Sequence, residues 1–308
     1  MTITKKFLLA SIVILLLAIT LICLVFPEPL ELIKRNAIIT PVAFIAAAFA
    51  NATAVGGGFL FIPLFIYAYG LAPIAALKLS LATQAFGMTS GAIGWSLSFI
   101  EKKALVIGAM ASLVGMWLGV YVFQIDSQHI KLAFGWISIL IFLIIMIEIK
   151  LGQSSHRNAI ETLGFLPLVG YTITAVAGGL VTAWTAIGVG EFVALYLMFV
   201  YRIRIETAIG TGVAILAIDS IAGLIFHTSL GGIHWDLLVF TVPGVILGGF
   251  WGARTGRYIE QRIIQKKQLD ESSHKEELAY QSPLKWTFAI IILVDGLSIL
   301  THSLLYTS

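Results

Sequence analysis

The chain has 308 residues, of which 59% are hydrophobic and only 11% charged, with a net charge of +3. Ordinary soluble proteins carry about 25% charged residues, so this composition and a mean hydropathy of +0.98 exclude a soluble enzyme and describe a polytopic helical membrane protein. The basic residues sit in short clusters between apolar runs, which excludes a nucleic-acid stripe, and the single cysteine, Cys23, excludes an intrachain disulfide or a cysteine metal site.

In chain order, Lys5 and Lys6 precede about twenty apolar residues ending at Pro27-Glu28-Pro29. A cleavable signal has an apolar core of about 7–15 residues and a small-residue end, so this run is predicted to be a retained, extra N-terminal transmembrane helix within a segment 1–36. Apolar stretches follow at roughly 37–54, 56–70, 74–100, 104–123, 130–149, 163–183, 187–201, 206–228, 235–256 and 285–306. They are continuously apolar rather than alternating, which points to helices and away from barrel strands.

Two stretches, 56–70 and 187–201, are about fifteen residues long, short of the roughly twenty that a span needs. Each follows a Gly-rich interruption, Gly56-Gly57-Gly58 in one case and Gly188-Val189-Gly190 in the other. A shift of 132 residues pairs Gly56 with Gly188, Gly58 with Gly190, Tyr69 with Tyr201 and Gly91 with Gly223; one further residue pairs Gly115 with Gly248 and Gly119 with Gly252. The halves are therefore predicted to be repeats, over 37–150 and 151–308.

The clusters Lys5-Lys6, Lys102-Lys103, Lys150 with Arg157, Arg202 with Arg204, and the segment from Arg254 to Lys285 all fall on one side if 56–70 and 187–201 return as hairpins. Positive loops stay cytoplasmic, which places the N-terminus inside and the C-terminus outside, with Lys34-Arg35 as the exception. The repeats are then inverted, the plan of many secondary transporters. The fold class expected is an all-α polytopic membrane protein of two inverted repeats, each with a Gly-rich helix break, plus the extra N-terminal helix. The polar stretch 257–284 reads as a solvated cytoplasmic loop or helix.

A break inside a membrane must be buried in protein or line a wet cavity, and a helix starting there presents free N–H groups and a partial positive charge. Two such starts converging suit an oxyanion. The substrate-binding candidates are Gly56, Gly57, Gly58, Gly188 and Gly190, with Asn51 and Thr53 before the first break, Thr185 before the second, and Ser80, Thr83, Gln84 and Thr211 on the long helices that follow. The competing roles are close packing for the glycines, capping for Asn51, Thr53 and Thr185, and bonding to their own helix for the hydroxyls. Intramembrane acids are functional by default: Glu191 and Asp219 are candidates for proton coupling, against dipole complementation and interhelical bonding. Gly115-x-x-x-Gly119 and Gly248-x-x-x-Gly252 read as packing faces. Lys78, Arg202, Arg204 and Arg254 read as snorkelling side chains or an anion-concentrating vestibule. Trp95 and Trp235 fit an aromatic belt. No metal site or cofactor is expected.

The run Ala54-Val55-Gly56-Gly57-Gly58-Phe59-Leu60-Phe61-Ile62-Pro63-Leu64, with Ala75-Ala76-Leu77-Lys78-Leu79-Ser80-Leu81, resembles the first repeat of the TauE/SafE sulfite exporter family, also called TSUP. Ala208-Ile209-Gly210-Thr211-Gly212-Val213-Ala214 is similar to its second repeat; the second break departs from the pattern, with Glu191 after Gly190 and Leu195 in the place of Pro63. The resemblance implies an inner-membrane permease for sulfite or an organosulfonate. The residues themselves imply a small anionic substrate handled in the bilayer, and leave open monomer or homodimer, as well as a passive anion channel or a carrier of another small anion.

Overall fold

A computed structural model describes residues 3–53, 56–151 and 164–269, together with 290, 293–294, 296–297 and 299–301. The elements there are all helical: α1 (Ile3–Val25), α2 (Pro29–Asn36), α3 (Ile39–Thr53), α4 (Gly58–Pro63, continued by a π-helical turn Leu64–Ala68), α5 (Pro73–Trp95), α6 (Lys102–Trp117, continued by a π-helical turn Leu118–Val122), α7 (Ser127–Leu151), α8 (Phe165–Thr185), α9 (Val189–Phe199), α10 (Ile205–Ser229) and α11 (Trp235–Leu269). Among the described residues four helical stretches are long and apolar enough to cross a bilayer: Lys102–Val122, Phe165–Thr185, Glu206–Ser229 and Trp235–Ile259. Helices α2 and α3 meet at 48° and make a fifth if they count as one span. The protein is a multi-pass membrane protein, all-helical among the described residues.

Small residues decide which helices meet. Gly244, Gly248, Gly252 and Gly256 of α11 lie in turn against Thr40, Phe44, Ala48 and Ala52 of α3, so these two helices run in the same direction with backbones nearly touching. Without a hydrophobic drive between helices in lipid, such backbone contact is what van der Waals association needs. Helix α5 runs the same way, with Gly87 on Val245 and Gly94 on Phe250 and Ala253. A second parallel set forms from α6, α8 and α10: Gly115 meets Val176 and Leu180, Gly119 meets Leu180 and Ala183, and Gly108 meets both Tyr171 and Ile215. The two sets are antiparallel to each other, since Leu81 of α5 lies by Gly223 while Phe99, just past its end, lies by Gly210. The predicted packing glycines 115, 119, 248 and 252 all sit at these crossings.

The structure adds two details and changes one expectation. After Pro27, Pro29, suited to a first helical position, opens the short helix α2. Of the polar stretch 257–284, read as a loop or a helix, the part through Leu269 is helical as the continuation of α11, and 270–284 lies outside the described residues, as does Arg157. Trp95 is 0% exposed rather than part of an interfacial belt, whereas Trp235 is exposed. The reason is local: Trp95 closes α5 beside the last turn of α3, whose carbonyls lack helical partners, and its indole Nε1 donates to Asn51 O at 2.8 Å. Replacing Trp95 with phenylalanine leaves that buried carbonyl unsatisfied and is expected to lower stability by about 1–3 kcal/mol, read as a lower melting temperature in detergent with the oligomeric profile unchanged.

Candidate functional site

Two helix junctions meet inside the bundle. Helix α8 ends because Ala186 adopts a left-handed conformation (φ 56°, ψ 20°) with its N–H closing on Thr182 O, and Gly188 follows at φ 132°, a region open to glycine and costly for other residues. Helix α9 then returns along α8, with Val189 by Gly178 and Tyr196 by Gly170. The opposite junction lies between α3 and α4. A Cβ at Gly56 would stand 2.7 Å from Ala186 O, and one at Gly58 would stand 2.7 Å from both Ala186 O and Thr185 O. Glycine is required there because two backbones approach each other with no room for a side chain.

Glu191 joins the two junctions. Its carboxylate accepts the Gly56 N–H through Oε1 at 2.7 Å and the Gly188 N–H through Oε2 at 3.0 Å. As the third residue of α9 it caps its own helix, but the contact to Gly56 spans 135 residues of sequence. Gln84 makes a second tie from α5, donating Nε2 to Ala186 O at 2.9 Å and, more weakly, to Ser80 Oγ at 3.4 Å. Its Oε1 finds no hydrogen-bond partner among the described residues.

Thr182 and Thr185 serve the second junction. Thr182 Oγ1 accepts the Val189 N–H at 3.0 Å and donates to Gly178 O, and Thr185 Oγ1 bonds Val181 O and Ile187 O. Gly57 packs on the Phe61 ring and Gln84 Cγ, and these three help line a cavity of about 10 Å³ with Asn51, Thr83 and Met88. That is room for about one water. Asn51 Nδ2 donates to Ala47 O of its own helix, leaving Oδ1 without a partner among the described residues, and Thr83 Oγ1 shares a bond with Thr241 Oγ1 at 3.0 Å. Gly190 lies on the first turn of α9, its carbonyl against Gly212.

Thr53, Thr211 and Asp219 are held by other partners. Thr53 Oγ1 bonds back to Phe49 O. Thr211 Oγ1 accepts the Glu101 N–H at 2.9 Å and donates to Thr207 O, so it fastens the start of α6, where Glu101 caps Ala104 N. Asp219, 0% exposed, accepts from Ser112 Oγ at 2.7 Å, and its Oδ2 finds no partner among the described residues. Ser112 has no distinguishing signal in the sequence, being one serine in an apolar helix. The basic candidates are engaged: Lys78 Nζ with Leu230 O at 3.3 Å, Arg204 at the start of α10 with the buried Glu206 at 3.1 Å, and Arg254, toward the end of the apolar span Trp235–Ile259, over the Phe250 ring.

A bundle of apolar helices carrying a polar, hydrogen-bonded junction in its interior belongs to the class of multi-pass membrane proteins. The model of the sulfite exporter TauE/SafE family matches residues 38–267, and the chain belongs to that family. It is similar to a probable membrane transporter protein, YjnA, of Bacillus subtilis (26% identical, covering 82% of this chain and 95% of that one). It is also similar to YunE of the same organism, likewise a probable membrane transporter protein (24% identical, 74% and 90%), and to a probable membrane transporter protein of Xylella fastidiosa (26% identical, 70% and 80%). No solved structure matches the chain. Family and relatives together indicate a membrane transporter.

Proposed function

We propose that the protein is a secondary transporter that moves a small sulfur-containing oxyanion, such as sulfite or an organosulfonate, across the inner membrane by alternating access of two inverted repeats. The observation that carries this reading is the convergence of Gly56 N–H and Gly188 N–H, from separate junctions, on a single carboxylate. Donors so placed suit an oxyanion, and they lie where irregular backbone is tolerated only if it is buried or lines a cavity. The repeat reading is supported by the exchange of helices: α11 packs in parallel with α3 and α5, and α6 with α8 and α10, the two sets opposed. The N-terminus then lies inside and the C-terminus outside.

Asn51, Gln84, Ser80, Thr83 and Thr185 contribute neutral polar groups around the glycines, while Glu191 and Asp219 are the carriers of any coupled proton. A cavity of about 10 Å³ is too small for an oxyanion of several heavy atoms, which fits a closed conformation of the cycle. The test is flux of sulfite, sulfoacetate, sulfate and chloride into liposomes, with and without a pH gradient. Saturable sulfite or sulfonate flux that responds to the gradient is expected, and it should vanish in Gly57→Leu, whose side chain fills the space between Phe61 and Gln84. Fast, unsaturable passage of every anion would instead identify a channel.

A further inference from the structure

We propose that the Glu191 carboxylate is a tethered anion: it occupies the seat of the transported oxyanion, latches the two junctions together when that seat is empty, and must be displaced for substrate to bind. The inference deepens the transporter reading above and rests on it.

The latch is defined by its two ends. Oε2 takes the N–H of Gly188, three residues away at the start of the same helix, and Oε1 takes the N–H of Gly56 from the opposite junction. Self-capping would need only the first bond. The second pins the α3–α4 junction to the start of α9, in the place where Gly56 and Gly58 already press on Ala186 O. Glu191 is 5% exposed, and no ion pair to it is formed among the described residues. A buried carboxylate is costly unless its charge is answered, and here backbone N–H groups near two helix starts answer it. These are the donors an oxyanion would use, and one N–H cannot serve a carboxylate and a substrate at full strength together.

A second feature, beside that seat and tied to it through Ala186 O, points to a ligand. Gln84, 2% exposed, lines the adjoining cavity with Gly57 and keeps an unpartnered Oε1 while its Nε2 holds Ala186 O. A buried amide with spare acceptor capacity is costly in a dry interior and is satisfied by a protonated oxyanion or a water brought in with it. Glu191 and the substrate therefore exclude each other at the backbone donors, while Gln84 remains for whichever species enters. Exchange between the two anions would couple occupancy to the distance between the junctions: Glu191 bound holds them closed, and substrate bound frees the Glu191 side chain.

The experiment is sulfite binding to the purified full chain by calorimetry, for wild type, Glu191→Gln and Glu191→Ala, alongside backbone hydrogen exchange of peptides containing Gly56 and Gly188. Glutamine has no charge to compete with sulfite, and its NH₂ faces a donor at one of the two bonds. Sulfite should bind at least about tenfold more tightly to Glu191→Gln than to wild type. Exchange at both junctions should be faster in the ligand-free variant and slow again on adding sulfite. Glu191→Gln is the variant most apt to fold, and unchanged exchange elsewhere in the chain confirms that it has. Wild type that binds sulfite with Glu191→Gln equal or weaker overturns the latch and leaves Glu191 a structural cap, with the transporter reading intact. Absence of sulfite binding in all three proteins, with exchange at Gly56 unchanged in Glu191→Gln, overturns the latch as well; faster exchange without binding keeps the latch and rejects sulfite as its competitor.

Discussion

Gly58→Ala is expected to abolish anion flux while the protein still inserts and purifies. The added methyl would stand 2.7 Å from Thr185 O and Ala186 O, both backbone atoms of the opposite junction, so no side chain can turn aside to accept it. The junctions must separate, and with them the Gly56 and Gly188 N–H groups that converge on Glu191. Misplacing a positioning group by about 1 Å can cost about a hundredfold in rate, so flux should fall by at least that factor. Gly232→Ala is the matched control, because nothing lies within 4 Å of the position its methyl would take. Liposome flux for both variants at equal reconstituted protein decides the matter, and equal flux would remove the close approach of the junctions from the mechanism.

Gly252→Leu is expected to act on the fold rather than on transport alone. Gly252 rests on the backbone of Ala48, midway along the line of glycines on which α11 meets α3. Overpacking a tight core typically costs about 1–3 kcal/mol. Here the leucine faces a main chain that cannot move without breaking the contacts at Gly248 and Gly256 as well, so the upper end of that range is expected. The measurable result is a large loss of monodisperse protein and a lower melting temperature in detergent. Met110→Leu, at a 68% exposed position, should change neither. A Gly252→Leu protein that melts with wild type would show that the α3–α11 contact contributes little to the fold.

The candidate site was unevenly legible in the sequence. Gly56, Gly57, Gly58, Gly188 and Gly190 stand out because glycine clusters interrupt otherwise continuous apolar runs, and Glu191 because a carboxylate there is costly without an answering group. That the two breaks converge follows from the repeat pattern, but the bond that joins them is not legible: Glu191 and Gly56 are 135 residues apart, and no local pattern encodes their contact. Thr211 reads as a ligand group from its glycine-flanked place on a long helix, yet it bonds the Glu101 N–H, since which way a helical hydroxyl points depends on the neighbour packed against it. Trp95 reads as interfacial for the same reason, and Ser112, which holds Asp219, does not read at all.

By itself the sequence determined that the chain is helical, apolar enough for several membrane spans, and a member of the TauE/SafE family, because hydropathy and short glycine motifs are local properties that survive without knowledge of neighbours. Only the tertiary structure decided the partners: α3 with α11, α6 with α8, and one carboxylate between two junctions. In lipid those choices rest on van der Waals fit and on where polar groups find their bonds. With 29 glycines in the chain, each one permits close packing, and only the assembled bundle selects the backbone that it meets.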